Sequence, residues 1–342
     1  MKPIRVLIVD DSPIVQSVLK GILSGSADIK VVGIASDAFE AKDLILEKRP
    51  DVITLDIEMP RIDGITFLKR LMSFRPIPVI MISSYTKENS KRTLEALDAG
   101  AVDFVAKPGG NVRIGLEKLR YEITAKVREA AQAKIKSSFS FCKPQEPLQS
   151  REIKSSDKII ALGASTGGTR AIKRLLSSMP LNTNGIVIVQ HMPARFTKAF
   201  AQQLDTLFSL DVKEAEDGDR LCRGRAVVAP GGWHLEVAKD HDGYYVQLRD
   251  GRPVKHQRPS VDVLFHSVAK AAGANAIGIL LTGMGDDGAD GLLAMKKAGA
   301  FTVAQDEATS VVFGMPSAAI NCGAVEVVAA LDDIPGIVLS AL

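Results

Sequence analysis

At roughly 100 to 200 residues per domain, the 342-residue chain has length for two domains and possibly three, each with room for a sizeable core. With 46% hydrophobic and 24% charged residues it has the composition of a globular protein, which argues against both disorder and a disulfide scaffold. A formal charge of +3 from 43 basic and 40 acidic residues gives no electrostatic reason to expect nucleic acid or an anionic membrane as a partner.

The N-terminus, MKPIRVLIVDD, lacks the form of a signal peptide, and no segment approaches the ~20 apolar residues of a membrane span. Cys142, Cys222 and Cys322 are far apart and odd in number, so neither a disulfide framework nor a C-x-x-C metal knuckle is available. A cytoplasmic protein without membrane insertion is expected. From residue 4 to about 120, β-rich apolar runs alternate with helical patterns: IRVLIVD then 13–24, IKVVGIA then 37–48, DVITLD then 64–73, PVIMIS then 89–99, and DFVAK then 112 onward. Such alternation predicts a (βα)5 domain with a parallel sheet covered on both faces, spanning residues 1–125. Residues 126–156 carry Ser137, Ser138, Ser140, Pro144 and Pro147 and an excess of basic residues, which reads as a helix tail followed by a linker.

From 157 to 342, KIIALG, GIVIVQ, AIGILLT, FTVAQ and VEVVAA again read as buried strands interleaved with helices, predicting a second, doubly wound parallel sheet. Between them, RAVVAPGGWHLEVAKDHDGYYVQLRD reads as antiparallel strands turning at Asp242-Gly243, expected to form an antiparallel edge on that sheet.

In the first half, Asp10 and Asp11 follow strand one, Asp56 follows strand three, and Lys107-Pro108 follows strand five. Parallel strands share one carboxyl edge, so these charges converge there. Clustered carboxylates repel one another, and a hard divalent cation such as magnesium would stabilise them together with a phosphate. Phosphoryl transfer onto Asp56 is the chemistry this arrangement suits, with Lys107 as a compact charge for the phosphoryl oxygens. Taken singly, any of these acids could instead cap the next helix.

On VDDS at 9–12, LDIEMPRIDG at 55–64, Ser83 and AKPGG at 106–110, residues 4 to about 120 resemble the receiver domain of two-component response regulators. The resemblance implies that Asp10 and Asp11 hold Mg2+, that Asp56 is phosphorylated while the Glu58 carbonyl completes the metal shell, and that Lys107 contacts the phosphoryl group. Ser83 and Phe104 would be the switch pair. Many receivers carry tyrosine at the Phe104 position, so a hydroxyl is missing here.

In the second half, Gly163-Ala-Ser165-Thr-Gly167 matches G-x-S-x-G, which lifts a serine onto a strand-to-helix turn near a helix N-terminus. A phosphate cradle using Gly163, position 165 and Gly168 competes with that reading, although Ser165 replaces its middle glycine and no suitable acid follows in MPLNTNG. His191 ends the next strand, in GIVIVQHMP, whereas His234, His241, His256 and His266 fall in the hairpin or on other helix and loop segments. Asp286 and Asp287 follow another strand in AIGILLTGMGDDGADG. The order serine, histidine, aspartate differs from that of α/β-hydrolases, in which the acid precedes the histidine.

The motifs GASTGGT at 163–169, QHMP at 190–193, VAPGGWHLEV at 228–237, RPSVDVLF at 258–265, LTGMGDDGADG at 281–291 and VVFGMP at 311–316 resemble those of the chemotaxis protein-glutamate methylesterase and glutamine deamidase, the CheB family. The resemblance implies a serine hydrolase with Ser165 as nucleophile, His191 as base and then acid, and Asp287 orienting His191; a monomer is expected. Backbone N–H groups near Thr166 and Met284 would be the oxyanion donors. The implied substrates are glutamyl methyl esters and glutamines of chemoreceptors, and a histidine kinase would be the phosphodonor. Magnesium would belong to the receiver and not to the hydrolase reaction. It further implies that the receiver inhibits by occluding the serine site until phosphorylated. Two departures stand out: Asp286 where relatives commonly have asparagine, and Gln257 where they often have histidine. The rivals are a receiver joined to a nucleotide-binding or scaffolding module, in which Ser165 is structural, and a DNA-binding regulator, disfavoured by the doubly wound output half.

Overall fold

The structure is a computed structural model that describes residues 2–84, 86–108, 112–135 and 158–342. Most of the expected linker, Gly109 and Gly110 of the AKPGG motif, and Cys142 therefore lie outside the described residues. The chain divides into two compact units, Met1–Ser140 and Phe141–Leu342.

The first unit runs β1 (Ile4–Val9), α1 (Pro13–Ser24), β2 (Ile29–Ala35), α2 (Ala38–Lys48), β3 (Val52–Asp56), α3 (Gly64–Phe74), β4 (Val79–Ser84), α4 (Lys87–Asp98) and β5 (Asp103–Lys107), followed by α5 (Val112–Lys118) and α6 (Arg120–Gln132). Its five strands are parallel in the order β2-β1-β3-β4-β5. Apolar runs such as Val6–Val9 and Val52–Leu55 are buried throughout, as strands covered on both faces require. Asp37 and Asp63 cap α2 and α3 by accepting the N–H groups of Phe39 and Glu40, and of Ile65 and Thr66. Helix α4 begins two residues before the expected 89 because Thr86 supplies its N-cap, accepting the Asn89 N–H at 3.1 Å.

The expected boundary at residue 125 falls inside α6. Val127 and Ala130 are buried, and the Lys126 ammonium donates to Asp103 Oδ1 at 2.8 Å and to the Phe104 carbonyl at 2.7 Å. The helix tail expected at the start of this segment has, at helical spacing, an inner face that continues the first unit's core.

The second unit contains β6 (Ile159–Ala164), α7 (Gly168–Leu176), β7 (Ile186–Gln190), α8 (Phe196–Leu207), β8 (Asp211–Glu214), β9 (Arg225–Val228), β10 (His234–Asp240), β11 (Gly243–Arg249), α9 (Val261–Ala271), β12 (Ala276–Leu280), α10 (Ala289–Lys297), β13 (Phe301–Gln305), α11 (Met315–Asn321), β14 (Val327–Ala329) and α12 (Ile334–Ala341). Seven strands form a parallel sheet ordered β14-β13-β12-β6-β7-β9-β8. The chain leaves β6 toward β7 and later returns to β12 on its other side, so a topological switch point lies beside the carboxyl end of β6.

Two expectations about the insertion are corrected. Strand β9 joins the parallel sheet, and the edge is β8, a short polar strand whose sequence DVKE carries almost no periodic signal. The hairpin β10–β11 is a separate two-stranded antiparallel sheet that packs on α9, where the Val237 N–H donates to Ser267 Oγ at 2.8 Å. Its turn is His241-Asp242, one residue earlier than expected, because Gly243 pairs with Asp240 and takes up the positive φ of 114°.

Helix α9 joins the hairpin to the main sheet through Phe265, which is fully buried in a core shared with Leu235, Val246 and Leu292. Truncating Phe265 to alanine is expected to cost the second unit about 3–5 kcal/mol. Denaturant unfolding followed by the fluorescence of Trp233, the chain's one tryptophan, measures this directly.

Candidate active site and phosphoacceptor site

In the second unit three residues come from three neighbouring carboxyl edges. Ser165 follows β6, and its N–H donates to the Thr282 carbonyl beyond β12 at 3.0 Å. His191 follows β7, where its N–H extends the ladder by donating to the Ala164 carbonyl at 3.1 Å. Asp287 follows β12 and meets the imidazole, with His191 Nε2 2.7 Å from Asp287 Oδ2. The imidazole's other nitrogen, Nδ1, is buried with no hydrogen-bond partner.

The Asp287 carboxylate is seated on the N-terminus of α9. Its Oδ1 accepts the Ser260 hydroxyl at 2.7 Å and the Asp262 N–H at 3.1 Å, while Oδ2 accepts the Val261 N–H at 2.8 Å besides His191. Burial alone would raise this carboxyl's pKa, but the bonds from His191, Ser260 and Val261 outweigh it and hold the group below the usual carboxylate range. A helix N-terminus adds the favourable end of its dipole. Ser260 also caps α9, accepting the Val263 N–H at 3.4 Å. Its second contact, to an acid far along the chain, left no sequence signal.

Asp286 points elsewhere. Its side chain is 63% exposed and lies 3.3 Å from Lys255 Nζ, which also bonds Asp262 and Asp290 at 2.9 Å each. The extra carboxylate therefore meets a lysine already engaged by two other acids.

The glycine-rich turn is held tightly. Gly167, at φ +80°, occupies a left-handed N-cap position where a Cβ would fall 2.7 Å from Val311, so neither the conformation nor the space admits another side chain. The Thr166 carbonyl accepts the Thr282 hydroxyl at 3.0 Å, tying this turn to the loop that bears Met284. Among the described residues the Met284 N–H has no hydrogen-bond acceptor.

In the first unit, Asp10, Asp11 and Asp56 bring carboxylate oxygens within 4.8 Å of one another. Lys107 Nζ bridges Asp56 Oδ2 at 2.7 Å and Asp10 Oδ2 at 2.9 Å. Burial pushes the Asp56 carboxyl up to about 6; Lys107 opposes this and the Asp10 charge reinforces it. Such a set of hard oxygen donors, under-compensated by one lysine, is suited to a divalent cation. The Glu58 N–H reaches Asp56 Oδ1 at 3.4 Å. Ser83 is fully buried, with its hydroxyl 2.7 Å from that of Thr93 on α4, and Phe104 is buried with the Lys126 ammonium 5.3 Å from its ring centre.

Residues 160–338 match the family described as CheB methylesterase, and residues 6–117 match the response regulator receiver domain. The chain belongs to the CheB methylesterase family. It is 50% identical to the protein-glutamate methylesterase/protein-glutamine glutaminase 1 of Geobacter metallireducens, across 98% of this chain and 94% of that one. It is likewise 50% identical to the Salmonella typhimurium protein-glutamate methylesterase/protein-glutamine glutaminase, across 98% and 95%. The crystal structure of the Thermotoga maritima CheB methylesterase catalytic domain superimposes with a TM-score of 0.53 at 36% identity, covering 55% of this chain and all of that one. That family membership accords with the receiver and doubly wound output halves expected from sequence. Among the described residues no helix is long and apolar enough to cross a membrane.

The contacts rank the two adjacent acids. Asp287→Asn is expected to lower esterase turnover on the order of 10³-fold or more. Asp286→Asn, breaking one exposed ion pair, should cost less than about fivefold, the rate equivalent of about 1 kcal/mol. Steady-state turnover of the two variants decides the matter, and the opposite ranking would make Asp286 the functional acid.

Proposed function

We propose that this chain hydrolyses γ-glutamyl methyl esters, and the amides of glutamines, on the cytoplasmic part of chemoreceptors, under the control of phosphorylation at Asp56. The observation that carries the reading is the convergence of Ser165, His191 and Asp287 on one sheet edge, with Asp287 bonded to His191 at 2.7 Å and held by three further donors.

With Nε2–H donated to Asp287, His191 presents Nδ1 as its basic nitrogen. Ser165 Oγ attacks the γ-carbonyl while Nδ1 takes the hydroxyl proton, and the carbonyl oxygen becomes an oxyanion facing the N–H groups of Thr166 and Met284. Collapse of this adduct breaks the bond to the leaving group, which departs as methanol or ammonia with the proton from Nδ1. Water then attacks the acyl-enzyme, again losing its proton to Nδ1, and the glutamate carboxyl and the Ser165 hydroxyl are restored. Asp287 stays ionised throughout and stabilises the imidazolium that forms twice per cycle.

In the receiver, Asp10, Asp11, Asp56 and the Glu58 carbonyl would hold magnesium. Bound there, the ion would neutralise the carboxylates and the phosphoryl oxygens during transfer from a kinase phosphohistidine to Asp56. Lys107 shifts its bonds from Asp56 to the phosphoryl group. Ser83 leaves Thr93 to reach the same group, and Phe104 turns into the space behind it. The cytoplasm is the compartment that contains both the kinase and the receptor segments, and the chain acts there as a monomer.

Methanol release from methylated receptor tests reaction and substrate together. Ser165→Ala should lose at least about a hundredfold of it while remaining folded, and retention of more than a few per cent would remove Ser165 as the nucleophile. For regulation, a small-molecule phosphodonor should raise the rate of the wild type but not of Asp56→Asn. On the occlusion that the resemblance implies, a fragment from residue 158 onward should act on intact receptor faster than the unphosphorylated full chain. A fragment slower than the whole would show instead that the receiver only stimulates.

A further inference from the structure

The groups proposed to exchange a proton, Ser165 and His191, stand on different strands, so something must fix the distance between them. Gln190, the last residue of β7, is 3% exposed, and its Nε2 lies 2.9 Å from the carbonyl oxygen of Ser165 and 3.2 Å from that of His191. A primary amide carries two N–H bonds, so one nitrogen can donate to both carbonyls at once. This bond continues the pairing of β6 with β7 beyond its last register pair, Ala164 with Gln190, by means of a side chain. Room for the amide is made by Gly168, where a Cβ would fall 2.1 Å from Gln190 Oε1.

The same amide has a cost. Gln190 Oε1 is buried and accepts no hydrogen bond. An apolar side chain of equal length would fill the space and avoid the unmet Oε1 but would take the donor from the two carbonyls, so it is those two bonds and not packing that account for glutamine here.

We infer that Gln190 is a positioning residue of the hydrolase reaction, clamping the nucleophile's carbonyl to that of the base and so setting the gap across which the Ser165 proton moves. The inference rests on the reading of Ser165 and His191 given above. Without the clamp the turn at Ser165 and the loop at His191 are joined only by the His191 N–H bond to the Ala164 carbonyl, which does not fix the Ser165 carbonyl, and a displacement near 1 Å at a reacting centre costs on the order of 100-fold.

The test uses the full chain, a fluorophosphonate to titrate reactive serines, and methanol release from methylated receptor, so that turnover is expressed per titrated site. Gln190→Met keeps length and volume but removes both donors. Its turnover per site should fall about 10- to 100-fold, with KM within about twofold of the wild type. A residue that merely maintains the fold would instead lower the number of titratable sites and leave turnover per site unchanged. Gly168→Ala gives a second reading, since its methyl group would fall 2.1 Å from Gln190 Oε1 as well as 2.7 Å from the Ala164 Cβ, and the same loss per site is expected. Turnover per site within about threefold of wild type in either variant overturns the inference, as does a loss confined to KM. Absence of titratable sites in both variants would likewise overturn it, by making the amide a folding element. Failure of the underlying reading looks different: the wild type would not be labelled, or Ser165→Ala would be labelled equally.

Discussion

A buried carboxylate must be answered by donors, and in the catalytic unit the carboxylate of Asp287 organises the site around that requirement. A single bond from the His191 imidazole would not repay the desolvation of a buried carboxylate. The deficit is met by the N-terminus of α9, which supplies the N–H groups of Val261 and Asp262 and the Ser260 hydroxyl, so that each carboxylate oxygen accepts two bonds. The position of α9 in turn depends on its apolar face, where Phe265, Leu264 and Val268 are fully buried. Core packing is thereby converted into the orientation of one imidazole.

The receiver unit holds a buried acid cluster under the opposite condition. Asp10 and Asp56 share a single lysine, with the Ser12 N–H on Asp10 and a long contact from the Glu58 N–H on Asp56. The compensation is incomplete, which is why the Asp56 carboxyl is pushed up to about 6 whereas Asp287 is held low. A saturated carboxylate is suited to staying in place through a reaction cycle. One short of donors is suited to accepting a cation and a phosphoryl group. The same chemical group thus meets two opposite conditions in one chain, distinguished by the number of donors around it.

Both sites use the carboxyl edge of a parallel sheet, but they draw on it differently. The receiver assembles its charges from β1, β3 and β5, with Lys107 reaching across to the two buried acids. In the catalytic unit the adjacent strands β7, β6 and β12 place His191, Ser165 and Asp287 side by side at the switch point. Neighbouring strand ends leave little room for adjustment. The intervening backbone is accordingly bonded directly, Ser165 to Thr282 and His191 to Ala164, with the Gln190 amide between them.

Sequence by itself determined the alternation of strands and helices, because apolar runs buried on both faces are written as continuous residue strings, and it placed the acids, serine and histidine at strand ends, because those ends are where such runs stop. It also carried the family's motifs, including QHMP and RPSVDVLF. Strand β8 and the inner face of α6 were hidden by their polar and charged residues, since their burial depends on neighbours distant in the chain. For the same reason the hairpin could be recognised but not assigned to its own sheet. Only the tertiary structure decided that Asp287 rather than Asp286 meets His191, that Ser260 supports it, and that Gln190 spans two carbonyls. Each of these is a hydrogen bond between segments far apart in sequence, and donor–acceptor geometry is set by how strands and helices pack, which no local pattern of residues records.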